Sequence, residues 1–511
     1  MTRDTKPNEP LDAAQPGSLP TAGALPSPLR RRLWQWPLAA WVGAGVPAAW
    51  AQYGGGYGAP APAPGPASAP AGISPAAPAA SAAEAPEVPA AVVLGERLAL
   101  VLGNRAYPEP FDLPSIHKNV HDMEAALAKR GFKVTAAVDL DPAAARSTVE
   151  GFLRQVAAAP PDTIVFFYFS GHGVQMNAEN LLLGAGVNPS AAPETLLKGS
   201  MVLQPDVVLK LPRRERGLTI AVIDACRTDL RAALKPGEGL NQVEAPPGCL
   251  IAFSTGAGKP ALAPSNPSQN TFYTGALVHQ LSTASDELSF SDLFRLAKLE
   301  TQRTMLNHPV GLIRQFAQFP FIAENTRQPV LLAQRPAPAA AGRFGTEDEA
   351  GGWATLQATV WPPDVVKLAD RYLQRWPDSK LAGGAEVMRE GAKDAAAILR
   401  RNDIRLFRRS FEPHAGADKD YQADLLKAAR GDKDAAARVG RAWRTDVQSG
   451  AELSRYEGWM QYAAELGNGI ASYELALHYR RLDQPQPAAR WEARARELGY
   501  TPPPSLDNQR K

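Results

Sequence analysis

Thr163-Ile164-Val165-Phe166-Phe167-Tyr168-Phe169-Ser170-Gly171-His172-Gly173 is the stretch that decides the fold. An unbroken apolar and β-branched run reaches Phe169 before polarity changes at Ser170. A run of this length without alternation predicts a strand covered on both faces, as in a parallel sheet held between helices. A second such run, Leu218-Thr219-Ile220-Ala221-Val222-Ile223, leads into Asp224-Ala225-Cys226-Arg227. In parallel sheets, chemistry collects just past the carboxyl ends of the strands. The two runs therefore deliver His172 and Cys226 to one edge of one sheet, as a candidate Cys/His dyad.

The neighbouring sequence extends the pattern in both directions. Arg97 to Leu102 predicts a first strand, and Asn119 to Arg130 a helix with Val120, Met123 and Leu127 inward and Gly131 as its stop. Phe132 to Val138 follows as a strand. Asp141 then caps a helix begun by Pro142, with Val149, Phe152, Leu153 and Val156 inward. Further helices are expected over Pro205 to Arg216, Thr271 to Leu281 and Phe290 to Met305, with a strand from Cys249 to Ser254. Alternating strands and helices indicate an α/β fold with a mostly parallel sheet.

The chain has 511 residues and a net charge of +3, and no basic stripe is interleaved with aromatics, so nucleic-acid binding lacks support. Arg30-Arg31-Arg32, an apolar stretch from Leu33 to Val46 and Ala49-Trp50-Ala51 have the order of a secretory signal peptide. Residues 1–51 are therefore expected to be a signal peptide, loosely of twin-arginine type, and the protein to be exported to the periplasm or beyond. The apolar stretch is too short and too broken for a stable membrane span. Residues 52–95 are rich in Ala and Pro and are expected to form a disordered tether. The chain has 2 cysteines. On neighbouring parallel strands they would lie at opposite ends of the sheet, beyond the ~7 Å Cα limit for a disulfide. Cys249 then reads as a core thiol.

The α/β region is expected over residues 96–325, a second linker over 326–352, helical repeats over 353–500 and a tail over 501–511. Ala428-Ala429-Arg430-Gly431-Asp432, Ala463-Ala464-Glu465-Leu466-Gly467-Asn468 and Ala495-Arg496-Glu497-Leu498-Gly499-Tyr500 share one shape, and the spacings of their glycines, 36 and then 32 residues, mark helical hairpins. Val365 to Glu390 resembles a tetratricopeptide-type hairpin, and the later segments a Sel-one-like array. Such a domain is expected to bind a protein partner. Its late aromatics, Trp443, Trp459, Tyr462, Tyr473 and Trp491, read as packing between helices.

A cysteine attacks as thiolate, and a nearby histidine generates it. Gly171 and Gly173 allow close approach of a substrate backbone. Amides near Gly173 and Cys226 are candidates for holding a tetrahedral oxyanion. His117 and His121 have i,i+4 spacing, but no third ligand is evident, so no metal site is assigned. Arg227, Arg231 and Lys235 are candidate self-cleavage positions.

Several ordered motifs carry a family resemblance: Leu100-Val101-Leu102-Gly103-Asn104-Arg105-Ala106-Tyr107, Asn119 with Asp122, Tyr168 to Gln175, Asp224 to Arg227, and Ile251 to Gly256. Together they make Arg97 to about Ala323 resemble the caspase-like domain of prokaryotic metacaspases, in the clan of caspases and legumain-type proteases. The resemblance implies a caspase-like αβα sandwich, His172 as general base and acid, Cys226 as nucleophile, and protein or peptide substrates. It further implies that Asp224 lines the S1 pocket and selects Arg or Lys, with Gly173 also binding substrate. It leaves calcium activation open, and since no acidic cluster is specific enough to name a site, no cofactor is assigned. Gly184-Ala185-Gly186 and Leu262-Ala263-Pro264 depart from the family's pattern around the substrate pocket. Those departures keep a weak or inactive caspase-like scaffold as the alternative, with a non-peptide acyl hydrolase as a third reading.

Overall fold

A computed structural model describes residues 87–176, 178–212, 214, 216–226, 241–256, 261–334, 348–444 and 450–502. The expected signal peptide, most of the first tether and the three candidate self-cleavage positions lie outside the described residues.

The predicted strands form one sheet. β1 (Arg97–Gly103), β2 (Lys133–Val138), β3 (Ile164–Met176), β6 (Leu218–Cys226), β7 (Cys249–Phe253) and β8 (Phe321–Asn325) lie in the order β2-β1-β3-β6-β7-β8, with β4 (Glu179–Leu183) and β5 (Ser200–Val202) on a branch. All neighbours from β2 to β7 are parallel, and β8 closes the edge antiparallel. Helices α1 (Ile116–Lys129), α4 (Phe272–Thr283) and α5 (Phe290–Leu306) cover one face, where Val101, Phe166, Tyr168, Ile220 and Val222 pack under Met123, Leu277 and Phe294. The helix α2 (Pro142–Ala158) covers the other, where Leu100, Phe167, Phe169 and Ile223 meet Val149, Phe152 and Val156. Coverage on both faces is why β3 and β6 lack alternation. At the edge, β2 is half-exposed along its length.

Several elements differ from expectation. Where a helix is expected from Pro205 to Arg216, the described residues make a short π-helix, Leu203–Val208. Pro212 has no N–H to continue a helix and restricts the residue before it. β3 outruns its apolar segment. As far as His172 it pairs with β6, and from Gly173 onward it pairs antiparallel with β4. The short α3 (Pro193–Lys198) and α6 (Gly311–Gln315) are additions to the pattern. Val92 bridges Val330, and Leu94 and Leu332 are buried, so the C-terminal end of the first expected linker and the N-terminal end of the second lie against the core. These short apolar runs are hidden within Ala- and Pro-rich composition.

From residue 349 onward the described chain is all-helical: α7 (Glu349–Ala358), α8 (Pro362–Arg375), α9 (Ala382–Leu399), α10 (Lys419–Ala429), α11 (Lys433–Ala442), α12 (Gly450–Glu465), α13 (Gly469–Arg481) and α14 (Pro485–Glu497). Gly431, Gly467 and Gly499, the repeated glycines, all have positive φ just after a helix, a conformation that favours glycine. Trp459, Tyr462, Tyr473 and Trp491 are buried.

The helices sit directly on the α/β region. Glu324 of β8 is buried between Arg295 of α5, at 2.8 Å, and Lys427 of α10, at 3.3 Å, while Arg295 also reaches Asp432 at 2.9 Å. Burial alone would raise the Glu324 carboxyl; Lys427 and Arg295 outweigh it and hold the group well below the usual carboxylate range. Buried ion pairs confer geometric specificity more dependably than stability.

Helix contacts are equally close within the array. A Cβ at Gly391 of α9 would collide with the Arg430 carbonyl oxygen. Gly391→Ala is therefore expected to destabilise the helical region by about 1–3 kcal/mol through overpacking. Thermal unfolding of the intact chain checks this, and an unchanged midpoint would contradict the packing.

Candidate active site

The register of β3 with β6 ends on the pairs Ser170↔Asp224, Gly171↔Ala225 and His172↔Cys226. The two sequence-predicted residues are therefore direct backbone neighbours on adjacent parallel strands, whose axes are about 4.8 Å apart. Cys249 opens β7 opposite Thr219, seven positions down the sheet from Cys226, or roughly 23 Å. The expectation that the two cysteines occupy opposite ends of the sheet holds, and a bond between them is excluded.

His172 is held by Tyr107 and Phe111. It is 1% exposed, and its Nε2 lies 2.7 Å from the Phe111 carbonyl oxygen. A carbonyl only accepts, so Nε2 carries a proton and Nδ1 is the basic nitrogen of the neutral ring. The His172 backbone N–H donates to the Tyr107 hydroxyl at 3.1 Å, and the Tyr107 ring meets the imidazole edge-on at 4.4 Å. The Tyr107 hydroxyl in turn donates to the Leu183 carbonyl at 3.1 Å. Gly171 is required here, because a Cβ would stand 2.8 Å from that hydroxyl. Gly173 follows directly and begins the pairing with β4, opposite Leu182.

The loop carrying Tyr107 and Phe111 is itself anchored. Asp139 accepts from the backbone N–H groups of Arg105, at 2.7 Å, and Ala106, at 2.8 Å, and pairs with His117 at 2.6 Å. Against the upward push of burial, those hydrogen bonds and His117 keep its carboxyl below the ordinary value. His117 is thus engaged with Asp139, and His121 with Asp122. Among the described residues no group of three or more metal-ligating side chains is present.

Asp224 sits below this pair and is fully buried. Its Oδ2 accepts from the hydroxyls of Thr271 and, at 2.6 Å, Thr274, both at the start of α4. Tyr168 donates to Thr274 at 2.6 Å, and the Asn119 amide donates to Thr271 and Ser170, each at 3.1 Å. The proton of each threonine hydroxyl is thus directed at one carboxylate oxygen. Burial pushes the Asp224 carboxyl up, and the surrounding hydroxyls pull against it. Its Oδ1 has no hydrogen-bond partner among the described residues.

The family model for the caspase domain matches residues 96 to 331. That segment is a caspase domain. It coincides with the β-sheet and its covering helices, and an all-helical region follows it. The chain matches no curated protein.

The caspase domain contains site contributors with little sequence signal. Phe111 acts through a carbonyl, which any residue possesses. Thr271 and Thr274 appear in the sequence only as the opening of a helix. Tyr107 and Asn119 carried the family motif, and the structure supplies their contacts.

Proposed function

We propose that this chain is a cysteine endopeptidase of metacaspase type that uses His172 and Cys226 and cleaves after Arg or Lys. The observation that carries this is the terminal pair of the β3–β6 register, His172 beside Cys226 at the carboxyl edge of the sheet.

In this reading the Cys226 thiol gives its proton to Nδ1 of His172, and the thiolate attacks the scissile carbonyl carbon. The imidazolium holds Nε2–H on the Phe111 carbonyl, which offsets part of the cost of a buried cation. It then passes the Nδ1 proton to the leaving amine, and the C–N bond breaks to leave a thioester. Water, deprotonated by His172, hydrolyses the thioester and restores the thiol. Amides at Gly173 and Cys226 are the nearest candidates for the oxyanion.

Asp224 supports the cationic P1 preference. It is a buried carboxylate two residues before the nucleophile, with one oxygen lacking a partner among the described residues. A guanidinium or ammonium entering from substrate supplies the charge-assisted donor that this oxygen lacks. The helical region adds protein recognition in the same reading. A cavity of about 310 Å³ lined by His414, Tyr421, Asp418 and Arg438 is one place for a partner's side chain. Export to the periplasm or beyond rests on the N-terminal sequence alone.

Hydrolysis of fluorogenic peptides carrying P1 Arg, Lys or Asp, with and without calcium, tests the reading. Turnover after Arg and Lys only is the expected result. No turnover in any condition would reject the peptidase and favour a caspase-fold scaffold.

A further inference from the structure

The array's repeated turns grip the caspase domain beside its catalytic strands. Beyond Cys226 the described chain resumes at Asn241-Gln242, and both residues are buried. The Gln242 amide donates to the carbonyls of Gly467, at 3.2 Å, and Leu498, at 2.8 Å, while its oxygen accepts from the Gly469 N–H at 2.9 Å. Three hydrogen bonds thereby tie one side chain to backbone groups of two repeat turns. These turns contain Gly467 and Gly499, whose positive φ leaves carbonyls and amides uncovered by the helices.

Asn241 faces both ways. Its side chain exchanges hydrogen bonds with the backbone of Thr501, at 3.0 and 3.2 Å, and donates to the Ala178 carbonyl at 2.8 Å. Its own backbone exchanges hydrogen bonds with the side chain of Asn180, at 2.6 and 3.2 Å. Asn180 lies in β4, opposite Gln175 of β3, and Gln175 donates to the Thr501 hydroxyl at 3.3 Å. The extension of the strand that bears His172 and the segment that resumes at Asn241 therefore meet at one point, and the helical array holds that point.

We propose that the helical region braces the active site within its own chain, with Asn241 and Gln242 as positioning residues. The repeat turns fix the β3–β4 extension and the segment at Asn241-Gln242, and through the pairing of β3 with β6 steady His172 beside Cys226. The helical region is then a component of the active site's scaffold. A ligand that spreads its turns would act on the chemistry from a distance. This inference rests on the peptidase reading for its kinetic readout, and has a second readout that does not.

The test uses the full chain with Gln242→Met, which keeps packing and removes all three hydrogen bonds. Thr501→Pro deletes from the opposite side the N–H that reaches Asn241, at a position beyond the last helix. Both variants are expected to speed amide exchange in peptides covering residues 170–182 and 218–226 by about tenfold, by raising the local opening population. For an Arg-P1 peptide, kcat is expected to fall by about tenfold with KM within about twofold, the pattern of lost positioning and retained binding. Faster exchange confined to residues 465–502, with kcat unchanged, would overturn the brace. If the native chain hydrolyses no peptide, the peptidase reading falls, and exchange at 170–182 and 218–226 still decides the brace. Should Gln242→Met fail to fold, Thr501→Pro gives the same decision.

Discussion

His172→Ala is expected to lower turnover of an Arg-P1 peptide by at least about 10³-fold, with Cys226→Ala matching it and the double variant no worse than either. The non-additivity follows from the proposed roles. Without the imidazole, the base that takes the thiol proton and returns it to the leaving amine is gone, so retaining the thiol gains little. The structure makes His172 hard to replace from its surroundings. Its Nε2 is committed to the Phe111 carbonyl, and the ring is buried against Tyr107. Initial rates on matched, folded samples check the prediction. Additive losses, or a single variant retaining a tenth of native turnover, would break the unit apart.

Asp224→Asn is expected to do two opposite things. Turnover after Arg should fall about ten- to a hundredfold, the worth of a charged hydrogen bond of about 1.5–3 kcal/mol. Thermal stability at neutral pH should rise. Burial raises the folded-state carboxyl above its ordinary value, so ionisation is easier in the unfolded chain. Below the unfolded value, near 3.9, the group carries no penalty. As pH climbs from there through the folded value, the unfolded state sheds its proton first and stability is lost. Asparagine keeps an oxygen for Thr271 and Thr274 and never ionises. The advantage of the variant should therefore be small near pH 4 and larger at pH 7.5, by about 2–4 °C in midpoint for each kcal/mol. Scanning calorimetry at the two pH values, beside Arg and Lys kinetics, reads both effects. A lower midpoint with unchanged cleavage after Arg would make Asp224 a structural acceptor for the two threonines and nothing more.

The parts of this architecture legible in sequence are those where one physical demand acts on consecutive residues. β3 and β6 are covered on both faces, so their apolar runs announce themselves, and the ends of those runs place His172 and Cys226. Gly431, Gly467 and Gly499 are legible because each turn needs a left-handed residue. β4, β5 and β8 are short, and their sequences do not differ enough from surrounding loops. The Phe111 carbonyl is invisible because every residue has one. Gln242, Asn241 and Glu324 stand in no motif or apolar pattern, yet each is buried at the seam between sheet and helices. The docked helices supply Lys427 and the backbone groups of the repeat turns, which join Arg295 and Asn180 of the sheet domain in making their burial tolerable.

The length of sheet between the two cysteines has a consequence for how such an enzyme endures oxidants. An active thiol next to another cysteine is silenced by an internal disulfide, and a dedicated reductase must then release it. Seven positions of parallel strand remove that route here. Oxidative loss of a catalytic Cys226 would proceed through sulfenic acid or a mixed disulfide with a small thiol, both of which exchange with free thiol in solution. The fold thus leaves the redox state of the nucleophile to the surrounding thiol pool, with no second cysteine within reach to hold it oxidised.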